Sequence, residues 1–135
     1  MPEVSLGADF LVPDVVGWKR ERLRACPETN YFTVVPDWLC EVLSASTEKR
    51  DRTVKMRIYA EAKVPHFWLV DPRQQLLEAF ELRDDRWLKI GAWSSDDEVR
   101  APPFDAIAFS LADLWPLDRP LGFDDNPQAL YAGDR

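Results

Sequence analysis

Three apolar runs that do not alternate with polar residues constrain this chain more than anything else in it. They are Phe10-Leu11-Val12-Pro13-Asp14-Val15-Val16-Gly17-Trp18, Trp38-Leu39-Cys40-Glu41-Val42-Leu43 and His66-Phe67-Trp68-Leu69-Val70-Asp71-Pro72. A strand that is apolar on both faces is covered on both faces, so these runs predict central strands. Pro13 has no N–H for a ladder and marks a bulge or a switch of pairing. Between the second and third runs, residues from about Thr47 to Ala62 contain neither Gly nor Pro. They follow Ser44, Ser46 and Thr47, which are good N-cap types, and stop before Pro65. The pattern predicts a βαβ unit with parallel second and third strands and a right-handed crossover.

Farther along, Leu76–Leu82 and Arg86–Trp93 flank Arg83-Asp84-Asp85 and predict a hairpin. Residues 107–109 read as a short edge strand, and Ser110 as the cap of a short helix over 111–115. Residues 19–35 read as basic and then loop-like. We expect one domain over 1–116 and an extended or mobile tail over 117–135. A mixed sheet with a single main helix has one face to spare. Either a partner subunit covers that face, or an N-terminal element is missing.

Composition excludes several classes. No apolar run approaches the ~20 residues of a membrane span, and MPEVSLGADF lacks the basic and apolar regions of a secretion signal. Two cysteines, Cys26 and Cys40, make neither a disulfide framework nor a four-thiolate zinc site. A reducing, cytoplasmic setting is expected. One histidine, His66, excludes sites that need two, and it reads as a packed or surface imidazole. Cys40 points away from Glu41 and reads as core, as do most of the six tryptophans.

The net charge of −7 argues against nucleic acid until it is divided along the chain. Residues 1–93 carry 14 basic and 15 acidic side chains, whereas residues 94–135 carry 3 and 9. Residues 19–24 and 47–63 are each net +3. Such stretches are either solvated faces or local phosphate-facing surfaces.

Charge in the wrong place carries more information. Asp14 falls inside the first apolar run, sharing a face with Val12, Val16 and Trp18 by period two. Glu41 falls inside the second and shares a face with Leu39 and Leu43. A buried carboxylate costs several kcal/mol unless it is paired, hydrogen-bonded or bound to a metal. On a regular helix, Asp51, Lys55, Ile58 and Ala62 share the sheet-facing side, while Arg50, Thr53, Arg57, Ala60 and Glu61 look solvated. Asp51 and Lys55 form either a structural ion pair or part of a site in which Lys55 overhangs Glu41 and Tyr59 adds a hydrogen bond. Two carboxylates can share a hard divalent cation whose remaining ligands are water and phosphate oxygens.

The ordered series Leu-Val-Pro-Asp (11–14) with Gly17-Trp18, Glu-Val-Leu-Ser-Ala-Ser-Thr (41–47), Asp51, Lys55, Tyr59 and Phe-Trp-Leu-Val-Asp-Pro (67–72) resembles the PD-(D/E)XK nucleases. More closely, it resembles their Uma-type family of restriction-endonuclease-like proteins, long catalogued as a bacterial domain of unknown function. The resemblance covers about residues 10–115. It implies an α/β (α+β), restriction endonuclease-like fold with a mixed central sheet, one main helix in the βαβ unit and an N-terminal helical layer missing. It also implies a DNA endonuclease that uses Mg2+ or Mn2+. Asp14, Glu41 and the Val42 backbone carbonyl would be metal ligands, with Glu3 as a further acidic position. Lys55 would replace the motif lysine, whose usual place two residues after the glutamate is Leu43. Asp51, Ser44 and Tyr59 would support the site. Ala45 stands where relatives carry proline. The implied partners are DNA, bound weakly and with metal, and a second copy in a homodimer, with no membrane. The competing expectation is an inactive nuclease-like domain serving in binding or dimerisation.

Overall fold

The computed structural model describes residues 3–6, 9–23 and 31–115. The tail assigned to 117–135 lies outside them. The centre is a five-stranded mixed sheet in the order β3 (Val15–Gly17), β5 (Trp38–Val42), β6 (His66–Asp71), β7 (Leu76–Arg83), β8 (Arg86–Ser94). β5 and β6 are parallel, with Trp38 opposite His66 and Glu41 opposite Leu69. The other pairings in this sheet are antiparallel. The β7–β8 hairpin turns through Asp84 and Asp85, both with positive φ (51° and 64°). Aspartate tolerates that conformation, and the two-residue turn matches the twist of the strands.

The helix between β5 and β6 is continuous from Glu48 to Glu61 but not uniform. Glu48–Arg50 and Met56–Glu61 are α-helical, and Asp51–Lys55 between them is π-helical. We call the whole helix α1. Thr47 is its N-cap, but no side chain caps the first turn. Instead, the Ser44 amide donates to Thr47 Oγ1 at 3.2 Å, and the hydroxyls of Ser44, Ser46 and Thr47 bond among themselves.

Both faces of the sheet are covered. On one, Leu39, Leu43, Phe67, Leu69 and Phe80 pack with Ile58 and Tyr59 of α1 and with Val4, Leu6 and Leu11. The last three belong to β1 (Glu3–Leu6) and β2 (Asp9–Leu11), which form a small sheet with β4 (Tyr31–Phe32). On the other, Cys40, Trp68, Val70, Leu77 and Ala79 pack with Val99, Ala101, Leu111 and Trp115. Each large apolar side chain buried this way contributes roughly 1.5–3 kcal/mol.

Several expectations need correction. The second face of the sheet is not bare, because residues 95–115 fold back across it. Trp68 Nε1 donates to the Pro102 carbonyl (2.9 Å) and Trp115 Nε1 to that of Ser95 (2.7 Å). The single strand drawn through 10–18 is two strands that break at Val12-Pro13-Asp14, and pairing passes from β1 to β5 there. The region read as a loop contains β4, paired in parallel with β1. The edge strand is Phe109–Ser110 (β10), paired with Glu98–Val99 (β9), and the short helix after it is a 3-10 turn over Leu111–Leu114. Ala60, assigned to the solvated side of α1, is buried next to Ile58 and Tyr59, while Arg57 and Glu61 of the same set remain exposed.

Candidate metal and catalytic site

Glu41 is the centre of the site and is 1% exposed. Alternation along β5 sends it to the same face as Leu39 and Leu43, under α1. Tyr59, fully buried in the second half of α1, donates its hydroxyl to Glu41 Oε2 at 2.6 Å. Lys55 Nζ lies 3.3 Å from the same oxygen and 3.1 Å from Asp51 Oδ1. The Asp51–Lys55 pair falls within the π segment, and Asp51 is itself 1% exposed. Asp51 Oδ1 receives no hydrogen bond of good geometry, so the lysine serves it as a charge more than as a donor.

Asp14 enters from the other side of β5. It is exposed, in a bend between β2 and β3, and not buried in an apolar strand as period-two reading placed it. The proline before it stops the strand, so the alternation does not run through. It still reaches the site. Its Oδ2 accepts the Val42 amide at 2.7 Å, and its own amide approaches Glu41 Oε1 at 3.4 Å. Asp14 thus replaces the ladder partner that β3 no longer supplies.

The electrostatics follow from burial. Burial pushes the Glu41 carboxyl from 4.5 up to about 7, against the pull of Tyr59 and Lys55, and the nearby Asp14 and Asp51 carboxylates push the same way. Burial, then Glu41, raise the Tyr59 phenol, so it remains a donor. For Lys55, burial opposes the charge, but Asp51 and Glu41 outweigh it and hold the ammonium above its ordinary range. Cys40, on the opposite face, is pushed by burial to about 12 and is inert as a nucleophile. His66 is lowered by burial and stands at the start of β6, three residues before the position opposite Glu41.

Asp14, Glu41, Val42, Lys55, Asp51 and Tyr59 are therefore brought together. Ser44 is not: its bonds stay within the Ser44–Thr47 hydroxyl cluster. Glu3 lies on β1, where Val4 and Leu6 take the core side and leave Glu3 on the other.

Sequence reading missed the clamp on α1. Arg73 pairs with Asp71 (3.2 Å) and Glu48 (2.6 Å), Arg52 pairs with Glu48 (2.8 Å) and Glu78 (2.7 Å), and Lys89 pairs with Glu78 (2.6 Å). Asp71 and Glu78 are buried, yet both carboxyls lie below their ordinary values, Asp71 because Gln74 and Arg73 donate to it and Glu78 because Lys89 and Arg52 pair with it. Trp87 Nε1 donates to the Met56 carbonyl at 2.8 Å, where the π segment ends. These contacts tie the first half of α1 to β6, β7 and β8 and so locate Lys55. A charged Glu78 inside the apolar run Leu76–Phe80 was the one available signal.

A model of the Uma2 family, described as "Putative restriction endonuclease", matches residues 2–112. The chain belongs to this family. Among solved structures it is similar to a nuclease, described as putative, of the DUF820 group from Anabaena variabilis ATCC 29413. The TM-score is 0.65 and the identity 22%, over 83% of this chain and 63% of the other. The likeness shows the fold, and the Uma2 chain spans less than two thirds of that protein. No curated protein matches.

Proposed function

We propose that this Uma2 protein is a metal-dependent endonuclease that hydrolyses DNA phosphodiester bonds. The observation that supports it most is the convergence of Asp14, from the bend between β2 and β3, and Lys55, from α1, on the buried Glu41 carboxylate. Two carboxylates and a strand-end carbonyl are a donor set suited to a hard cation that keeps water and phosphate in its remaining positions. The raised Glu41 carboxyl, next to a second carboxyl group, is an arrangement that a divalent ion would relieve. Asp14, Glu41 and the Val42 carbonyl would hold Mg2+ or Mn2+. When bound, such an ion supplies a water of lowered pKa and neutralises charge on the phosphate. Lys55 places a fixed ammonium beside that oxygen cluster, where it orients the nucleophile or stabilises developing charge. Tyr59 and Asp51 hold Glu41 and Lys55 in position. Binding to DNA is expected to be weak, salt-sensitive and dependent on metal.

A second reading is an inactive nuclease-like domain acting in binding or dimerisation. One observation favours it: among the described residues the edge strand β8, nine residues long, pairs on one side only, which leaves its other edge for a second copy. No helix among the described residues is long and apolar enough to cross a membrane, and a cytoplasmic location is part of both readings.

Plasmid cleavage with Mg2+ or Mn2+ separates the readings. Wild type is expected to nick supercoiled DNA, and Asp14→Ala, Glu41→Ala and Lys55→Ala to lose that activity. A wild type that does not cut, and whose melting temperature ignores Mn2+, rejects the enzyme reading in favour of the second.

A further inference from the structure

The segment 47–63 holds six basic side chains, and the structure divides them into two sets. Arg52, Lys55 and Lys63 are engaged in ion pairs with Glu48 and Glu78, with Glu41 and Asp51, and with Asp85. Lys49, Arg50 and Arg57 are exposed, and among the described residues they take part in no ion pair. Lys49, Thr53 and Arg57 follow each other at intervals of four along α1, all exposed, with Arg50 beside the first. At helical rise the row spans ~12 Å. Its only acidic continuation is Glu61, one step beyond. It begins in the first turn of α1, directly after the exposed Ser44–Thr47 loop that leaves β5 next to Glu41. The other cations among the described residues are placed worse: Lys19 and Arg20 follow β3 at its end away from Asp14, Arg86 stands at the β7–β8 turn, Arg100 donates to the Asp105 carbonyl at 3.4 Å, and Arg22 is paired with Asp37 at 2.8 Å.

Resting on the nuclease reading above, we infer that Lys49, Arg50 and Arg57 form the surface that tracks the phosphate backbone of duplex DNA and leads it to the site. An acidic protein needs such a surface more than a basic one does, because its mean field repels the polyanion. Three cations that form no ion pair among the described residues, two in the row and Arg50 beside it, start at the mouth of the site and supply local complementarity where the total charge does not. Phosphate contacts of this kind position the duplex without reading its sequence.

The test is fluorescence anisotropy of a labelled 30-base-pair duplex titrated with the full chain across a range of KCl, with Ca2+ in place of Mg2+ to suppress cutting. The variant is Lys49→Gln/Arg50→Gln/Arg57→Gln. Glutamine preserves helix propensity, and all three positions are exposed, so the fold is retained. Each lost phosphate contact flattens the plot of log K against log salt by about 0.9, so the slope should fall by roughly 2.7. Affinity at ~0.1 M salt should drop at least tenfold. The control Arg20→Gln/Arg83→Gln/Arg86→Gln removes the same charge elsewhere and should leave the slope unchanged. If wild type binds and the variant keeps its slope, or the control flattens it equally, this inference is wrong and the nuclease reading survives. If wild type does not bind the duplex at any salt concentration, both fall together.

Discussion

Replacing Glu41 by glutamine tests the electrostatics of the site without DNA or metal. The folded protein holds this carboxyl at about 7 against 4.5 for an ordinary one, chiefly because burial disfavours the charge. A group raised in the fold takes up a proton on folding. Its stabilising effect is complete below about pH 4.5 and is lost as the pH rises through about 7. The total is roughly 3 kcal/mol, since each tenfold change in proton affinity corresponds to about 1.4 kcal/mol. For a domain of this size, that is a change of about 10 °C in melting temperature. Glu41→Gln cannot ionise, so its melting temperature should not fall across that interval on this account. It keeps an acceptor for Tyr59 but turns an amide towards Lys55, and that sets a constant offset.

The measurement is therefore a difference: the melting temperature of Glu41→Gln minus that of wild type, by thermal circular dichroism from pH 5 to pH 8. Part of the effect is already lost at pH 5, so the difference should rise by about 8 °C over this range. Groups common to both proteins cancel. Asp71, Glu78 and Glu48 lie below their ordinary values and act at lower pH. A difference constant to within about 2 °C would refute the argument, because it would mean that Glu41 is ionised throughout and solvated in some way its burial does not reveal. Under the metal reading, Mn2+ at pH 7.5 should also stabilise wild type, by about 2.7 kcal/mol at one hundred times its dissociation constant, and not Glu41→Gln.

Lys55→Met should destabilise the protein by about 3 kcal/mol in urea denaturation at pH 8, because it leaves the buried Glu41 and Asp51 carboxylates without their cation. Tyr59→Phe removes the 2.6 Å bond to Glu41 and should cost about 1–3 kcal/mol at pH 8, with a smaller cost at pH 5. Trp87→Phe frees the Met56 carbonyl at the end of the π segment and should cost about 1 kcal/mol by the same measurement. Glu78→Gln breaks the pairing with Arg52 and Lys89 and should cost about 1–3 kcal/mol at pH 7, the loss shrinking as the pH falls, since Glu78 is held below its ordinary range.

The parallel pair β5–β6 and the β7–β8 hairpin could be read from the chain because continuous apolar runs and a two-aspartate turn admit few alternatives. β1 and β4 could not, since four and two residues are too short to show a period. The π segment was hidden for a related reason. Over five residues, its repeat departs from an α-helix by only about one position. Glu41, Lys55 and Tyr59 were legible because a carboxylate inside an apolar strand breaks the binary pattern. Asp14 was expected beside Glu41, and the structure brings the two together, but it was given the wrong environment, because the alternation was carried across Pro13. The Glu48–Arg52–Glu78 clamp was illegible: its decisive bond joins residues 26 apart in the chain, and no local pattern encodes it.

The place of Lys55 follows from the geometry of a βαβ unit. Position 43, two residues after Glu41, lies on the same face of β5, and a lysine there would sit beside the carboxylate. In this chain Leu43 fills that place, 3% exposed in the core shared with Tyr59 and Ile58. The helix that returns the chain to β6 packs over this face, so a residue on its underside can deliver the same ammonium from above. The π segment makes the delivery specific. It keeps Asp51 and Lys55 in contact at an interval of four while turning the second half of α1 to bury Tyr59 against the same oxygen. A proline or a deletion within Asp51–Lys55 would restore neither arrangement. Deleting one residue should convert the π turn to α-helix, rotate Lys55 and Tyr59 out of phase, and lower the stability by at least the sum of the Lys55→Met and Tyr59→Phe effects. A deletion as stable as wild type would mean that the π turn is incidental to the site.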